Sequence, residues 1–357
     1  MKKISIPTLP EVEQKSPTGK FHSFCRNLTL ELNGGIRAGT WGGGHPFDLQ
    51  IRRIPPGAAV CPFHSHLAQW EMFVVQSGTG TVRAGAETHP VQTGEVFVHP
   101  PGEPHQLINS GATDLVVLIV ADNPPLDACY YPDSNKWALR PPGKVFRMIE
   151  TDYFDGEEES GGAWTLRPVP QEKSAPGPAA AAASQPAPAP TEPGLTPFAQ
   201  RKVHPDTLPW GPWSSPKGKF SATGKELSIA VGALRNTPTG LGGHPFDLEL
   251  ARLPAGKAGC PFHSHSSQWE LYVILTGTGI VRADTESYPV ESGDVIVHPP
   301  GEAHQLTNTG STDLEYLLVA DNPPNEFWHY PDSNKFGFRA PRKIFRAAEV
   351  DYHDGEE

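Results

Sequence analysis

The chain has 357 residues, 40 of them proline and 36 glycine, and its 29 Lys+Arg against 40 Asp+Glu give a formal net charge of −11. Proline and glycine together make up roughly a fifth of the sequence, which excludes an all-helical bundle because both residues break helices. An acidic balance with no basic cluster argues against nucleic acid and anionic membrane surfaces as partners.

In chain order, Met1-Lys2-Lys3 is followed by Pro7, Pro10, Glu11 and Glu13 before any apolar stretch, so no secretory leader is expected there. The longest apolar run, 115–121, is too short to cross a bilayer. The cysteines at 25, 61, 129 and 260 form no CxxC pair and no disulfide framework. These features lead to the expectation of a cytoplasmic protein.

Predicted strands follow. Residues 70–75 and 80–83 are short β-rich runs separated by Ser77-Gly78-Thr79-Gly80. Residues 95–99 alternate in polarity and break at Pro100-Pro101-Gly102, and 114–120 read as a buried strand. Short strands punctuated by Gly and Pro indicate a sandwich or barrel. A polar hexapeptide, Tyr131-Pro-Asp-Ser-Asn-Lys136, and an acidic segment at 152–158 close this half. Residues 174–190 are almost entirely Ala and Pro, a composition that cannot bury a core and forms a semi-rigid spacer.

Beyond the spacer the first half is repeated at an offset of 199 without a gap. Residues 61–125 and 260–324 are identical at 42 of 65 positions. The expected division is a first domain at 1–160, a linker at 161–200 and a second domain at 201–357.

Each copy carries the same chemical constellation: His64-x-His66, Glu71 and His105, then His263-x-His265, Glu270 and His304. Residues two apart on a strand share a face, so each His-x-His pair can grip one ion. Glu71 sits at an odd spacing from His66, which requires a bend near residues 67–69. Three imidazoles and a carboxylate suit a divalent transition metal (Fe, Mn, Ni, Cu or Zn) and leave positions open for water or substrate.

The spacing of these residues resembles the cupin superfamily. Gly57, His64, His66, Glu71 and Gly78 follow its first motif, with one extra residue before the first histidine. Gly94, Pro100, Gly102, His105 and Asn109 follow its second motif at every anchor. The second copy repeats both motifs from Gly256 to Gly277 and from Gly293 to Asn308. The resemblance covers 45–125 and 244–324, and the chain is identified as a bicupin. It implies an all-β protein of two tandem cupin jelly-roll β-barrels. One metal would sit at each mouth, the barrels would pair within the chain, and a homo-oligomer is compatible with the same architecture.

The resemblance does not fix the reaction, because fold does not imply function. The leading expectation is a metal-dependent enzyme, an oxygenase or dioxygenase, acting on a small organic molecule. The alternatives are a sugar or sugar-phosphate isomerase or epimerase, and a sugar-binding bicupin without turnover. Gln69/Gln268, His99/His298 and Tyr131/Tyr330 are candidates to support the metal or contact substrate. His45/His244 read as turn residues, Cys61/Cys260 as small buried residues, and Arg53/Arg252 and Arg83/Arg282 as surface ion-pair partners. Phe73 becomes Tyr272 and Val117 becomes Tyr316 between the copies, a sign that the two pockets have diverged.

Overall fold

A computed structural model describes residues 1–35, 37–140, 143–149, 153, 196–339, 342–351 and 353–354. Most of the expected 161–200 linker and nearly all of the acidic 152–158 segment lie outside these residues. The described chain is almost entirely β, and its two helices with α geometry, Leu28–Glu31 and Leu227–Ala230, are one turn each. No helix among the described residues is long and apolar enough to cross a membrane.

Each repeat folds into a jelly-roll-like barrel. In the first, a seven-stranded antiparallel sheet runs in the order Lys202–Val203, Val96–His99, Glu71–Ser77, Leu115–Asp122, Phe47–Ile54, His22–Asn27, Val12–Lys15. A three-stranded sheet (His105–Ile108, Thr79–Ala84, Glu87–Gln92) and a four-stranded sheet that includes Ser65–His66 and Asp127–Tyr131 complete it.

The large sheet is covered on both faces, and this explains its sequence. On Phe47–Ile54 the odd residues Phe47, Leu49 and Ile51 enter a core shared by the two barrels. The even residues Asp48, Gln50 and Arg52 turn into the barrel and line its cavity. Leu115–Asp122 is apolar up to its last residue because Leu118 and Val120 face the shared core while Leu115, Val117 and Ile119 fill the barrel interior. Continuous apolar runs are what a doubly covered strand demands.

The shared core is the mating surface of the two barrels. Phe47 meets Phe246 edge-on with ring centroids 6.3 Å apart. Both rings are fully buried, and truncating either to Ala would cost about 3–5 kcal/mol. His45 does not reach the cavity of its own barrel. Its ring packs on Trp269 of the second barrel at 5.0 Å, and His244 packs on Trp70 of the first at 4.7 Å.

The two repeats also exchange arms. Lys2–Ser5 adds an edge strand to the second barrel by pairing with Asp294–His298. Lys202–Val203 does the same for the first barrel, pairing with Phe97 and Val96. Phe198, just ahead of that arm, is 3% exposed and belongs to the first barrel's interior cluster.

Candidate metal centre

Local structure brings the four predicted residues together. Ser65–His66 is a two-residue strand paired with Cys129 and Tyr130, after which the chain bends and Glu71 opens a strand of the large sheet. The Pro100-Pro101-Gly102 turn delivers His105. Gly102 sits at φ 84°, a conformation that favours glycine, and its N–H donates to the His66 carbonyl at 2.8 Å. The backbones of His64 and His105 then bond reciprocally at 3.1 and 2.7 Å.

The resulting group is buried and convergent. One ligand atom from each of His64, His66, Glu71 and His105 lies within 4.8 Å of the others, and His263, His265, Glu270 and His304 form the same arrangement. The outward nitrogens are occupied: His64 Nδ1 faces the Pro62 carbonyl at 3.0 Å, His105 Nδ1 the Glu103 carbonyl at 3.0 Å, and His66 Nδ1 an Asp127 carboxylate oxygen at 2.7 Å. Their partners are acceptors, so each Nδ1 carries the hydrogen and each Nε2 lone pair points inward.

This donor set fits a metal ion. His64 Nε2 and His66 Nε2 face each other at 3.1 Å, and His105 Nε2 lies 2.9 Å from Glu71 Oε2. Donors about 2.1 Å from a common ion and at right angles to one another stand about 3 Å apart. Without a metal, a proton must separate the two lone pairs. Burial disfavours a charged His66, but its bond to Asp127 and the field of Glu71 lift it to about 10, while burial and the neighbouring histidines push His64 well below its ordinary value. Burial alone would raise Glu71, yet the histidines hold its carboxyl well below the usual range. Metal binding therefore releases a proton from the site.

The second centre is built alike, with 3.1 Å between the facing nitrogens of His263 and His265 and Glu326 in place of Asp127 at 3.2 Å from His265 Nδ1. These acids lie 61 residues beyond the histidines they hold. No local spacing marks them, but an acid occurs at the same offset in both copies.

The remaining predicted residues take varied places. His99 is buried, stacks on His105 at 4.2 Å and bonds Glu103 at 2.7 Å, while Arg201 from the second repeat's arm grips Glu103 in turn. His298 stacks on His304 at 4.1 Å and bonds Glu302, which meets the Met1 amino group. Gln69 and Gln268 line the cavities but donate their amides to the Asp122 and Asp321 carbonyls, tying the loop ahead of Glu71 or Glu270 to the adjoining strand. Tyr131 and Tyr330 line the cavities beside His64 and His263, at ring distances of 6.0 and 6.3 Å.

Arg53 pairs with Glu11 and Asp114 at the surface, and Arg83 holds Asp133 bidentately, which pins the Tyr131–Lys136 turn to the barrel. Cys61 stands 3.6 Å from His64 Nδ1, and burial together with Glu71 pushes its thiol up to about 12. It is therefore a neutral wall residue at neutral pH.

No sequence motif marks the cavity's basic residues. The first cavity, about 190 Å³, is lined by Arg37, Arg52 and Arg140 together with the metal-type group. The Arg52 guanidinium is braced by Gln14, Ser23 and Gln50. Partial burial lowers the Arg37 pKa, and the like charge of Arg140 lowers it further, so an anion between them relieves both.

Two metal-type His₃Glu groups in paired jelly-roll barrels define a two-barrel metal-binding protein. The cupin domain family matches twice, over residues 50–121 and 249–320. The chain is a bicupin of the cupin superfamily.

An oxalate-binding protein from Thermotoga maritima is 40% identical over 68 residues, which cover 19% of this chain and 55% of that protein. Auxin-binding protein 1 of Arabidopsis thaliana is 33% identical over 81 residues, 20% of this chain and 40% of that one. The chain thus spans about half the length of the curated relatives it matches. Among solved structures, oxalate decarboxylase from Bacillus subtilis at pH 4.6 superposes with a TM-score of 0.50 at 15% identity, covering 90% of this chain and 76% of the other. A further structure of that enzyme, from a study of its Mn(II) centres, gives 0.50 at 14% identity over 91% and 78%. At these identities the structures share the fold.

Proposed function

We propose that this bicupin is a metalloenzyme whose first barrel acts on a small carboxylic acid at the carbon bearing the carboxylate. The observation that carries this reading is the meeting of Arg37, Arg52 and Arg140 with His64, His66, Glu71 and His105 in one small cavity. Arginines in a confined pocket recognise carboxylates through charge-assisted hydrogen bonds. The likeness to an oxalate-binding protein and to oxalate decarboxylase supports the same ligand chemistry, and the latter makes manganese the first metal to test.

His64, His66, Glu71 and His105 would hold the metal, which when bound supplies Lewis acidity and binding positions for oxygen ligands. The chain's own groups do the rest. Arg52, held rigid by its three braces, fixes one end of the acid, and Arg37 and Arg140 neutralise it at the mouth. Asp127 keeps His66 in the tautomer whose Nε2 faces inward. The Val60, Phe73, Leu107 and Ile119 wall keeps water from the reacting carbon.

The test is turnover by the Mn- or Fe-loaded chain with oxalate, malonate and glyoxylate, following CO₂ release and O₂ uptake. CO₂ release without O₂ consumption assigns a lyase, stoichiometric O₂ uptake with H₂O₂ release assigns an oxidase, and O₂ uptake with oxygen incorporated into product assigns an oxygenase. If no carboxylate binds or perturbs the metal's spectrum, the reading is wrong.

A further inference from the structure

The second barrel keeps the metal-type group but rebuilds the wall that holds Arg52 in the first. Arg52 corresponds to Ala251, and each of its braces changes as well: Gln14 to Trp213, Ser23 to Ala222 and Gln50 to Glu249. Cys25 becomes Gly224, and Glu249 Oε1 takes up the space beside it, 1.9 Å from where a β-carbon would stand. Val60 becomes Gly259, opening space near the hydroxyl of Tyr316, which stands where the first barrel has Val117. Tyr272 replaces Phe73 and donates its hydroxyl to Glu270 at 2.7 Å.

These exchanges change both size and polarity. The cavity grows to about 670 Å³ from 190 Å³ and reaches Trp213, a residue 48% exposed. Its inner wall presents the carboxylate of Glu249 and the phenols of Tyr272, Tyr316 and Tyr330, with no arginine at position 251. Arg235 lies within reach but is held by Glu226 at 2.6 Å and Glu249 at 3.5 Å. Arg339, the counterpart of Arg140, donates to the Pro323 carbonyl and, with Arg342, lines an adjoining cavity that reaches His263 and His265 but not the Glu249 wall. A carboxylate entering this wall would confront Glu249. A neutral ring bearing several hydroxyls would donate to Glu249, exchange hydrogen bonds with the tyrosines and lay an apolar face on Trp213.

We infer that the second barrel binds a neutral, polyhydroxylated ring of sugar size beside its metal-type group, while the carboxylate site belongs to the first barrel alone. The carboxylate half of this statement rests on the reading given above, and the ring half stands independently.

The test uses the full metal-loaded chain with myo-inositol and D-glucose as hydroxylated probes in saturation-transfer NMR, and malonate in calorimetry. Saturation transfer to the ring protons should persist in R52A and weaken at least tenfold in both W213A and E249Q. Trp213 is half exposed on an edge strand and Glu249→Gln keeps its shape, so folding of these variants can be confirmed by their unfolding curves. Malonate should bind once per chain, with that binding weakened at least tenfold in R52A. Absence of ring binding, ring binding unchanged in W213A and E249Q, or malonate filling two sites per chain would each overturn the inference. If malonate binds nowhere, the carboxylate reading falls, while a W213A-sensitive ring signal still supports the second site.

Discussion

Replacing Arg52 with Ala tests the carboxylate pocket at its best-defined point. A guanidinium has five N–H donors. In the structure, Nε and one Nη2 hydrogen go to Gln50 at 3.0 and 2.7 Å, and the two Nη1 hydrogens go to Gln14 and Ser23. One N–H and the full charge remain for a ligand. A single charge-assisted hydrogen bond contributes about 1.5–3 kcal/mol, so R52A should weaken carboxylate binding by roughly 10- to 150-fold. The assay is calorimetric titration of malonate into the Mn-loaded chain. Arg53→Ala, which removes a neighbouring guanidinium committed to Glu11 and Asp114, serves as control and should leave the affinity unchanged. An R52A affinity within twofold of the parent would refute the assignment of Arg52 to the ligand.

Three further outcomes follow from the buried charges. Arg201→Met strips Glu103 of its guanidinium partner, leaves a buried carboxylate facing only His99, and should cost about 3–5 kcal/mol by chemical unfolding of the first barrel. Asp127→Asn removes the charge behind His66 and should weaken one of the two metal sites by about 10- to 100-fold in a chelator-competition titration, with Glu326→Gln doing the same to the other. Burial, and after it Glu226, raise the Glu249 pKa to about 7, above that of an unfolded glutamate. Its contribution to stability is therefore fully present below about pH 4.3 and is lost as pH rises through 7. In the metal-free chain, Glu249→Gln should gain about 1–3 kcal/mol relative to the parent on going from pH 5 to pH 8, read from denaturant unfolding at both values.

The sequence carried the metal-type group because its members lie in two short motifs whose spacing is set by local geometry, a two-residue strand, a bend and a proline-glycine turn. It also carried the barrel, since turns and strands repeat in register. The basic pocket was harder to see. Arg52 lies on a strand whose alternation, Phe47-Asp-Leu-Gln-Ile-Arg52, has the form of a sheet with one wet face, yet both faces are covered and the polar one lines the cavity. Asp127 and Arg201 act across 61 and 98 residues of sequence, a distance at which no periodicity links them to His66 and Glu103. The local sequence around His45 reads as a turn, and its packing against Trp269 arises only when two barrels mate. What the duplication did offer was a comparison within the chain. Phe73 against Tyr272 and Val117 against Tyr316 mark the divergence, and extending that comparison to Arg52 against Ala251 leads directly to the pocket wall.

Metal stoichiometry tests the two His₃Glu groups most directly. After reconstitution with Mn²⁺ and gel filtration, elemental analysis should find two metal ions per chain, one in the chain carrying both His64→Ala and His66→Ala, and none when His263 and His265 are replaced as well. A parent chain that holds no tightly bound metal, or a His64→Ala/His66→Ala chain that still holds two, would contradict their role as metal sites.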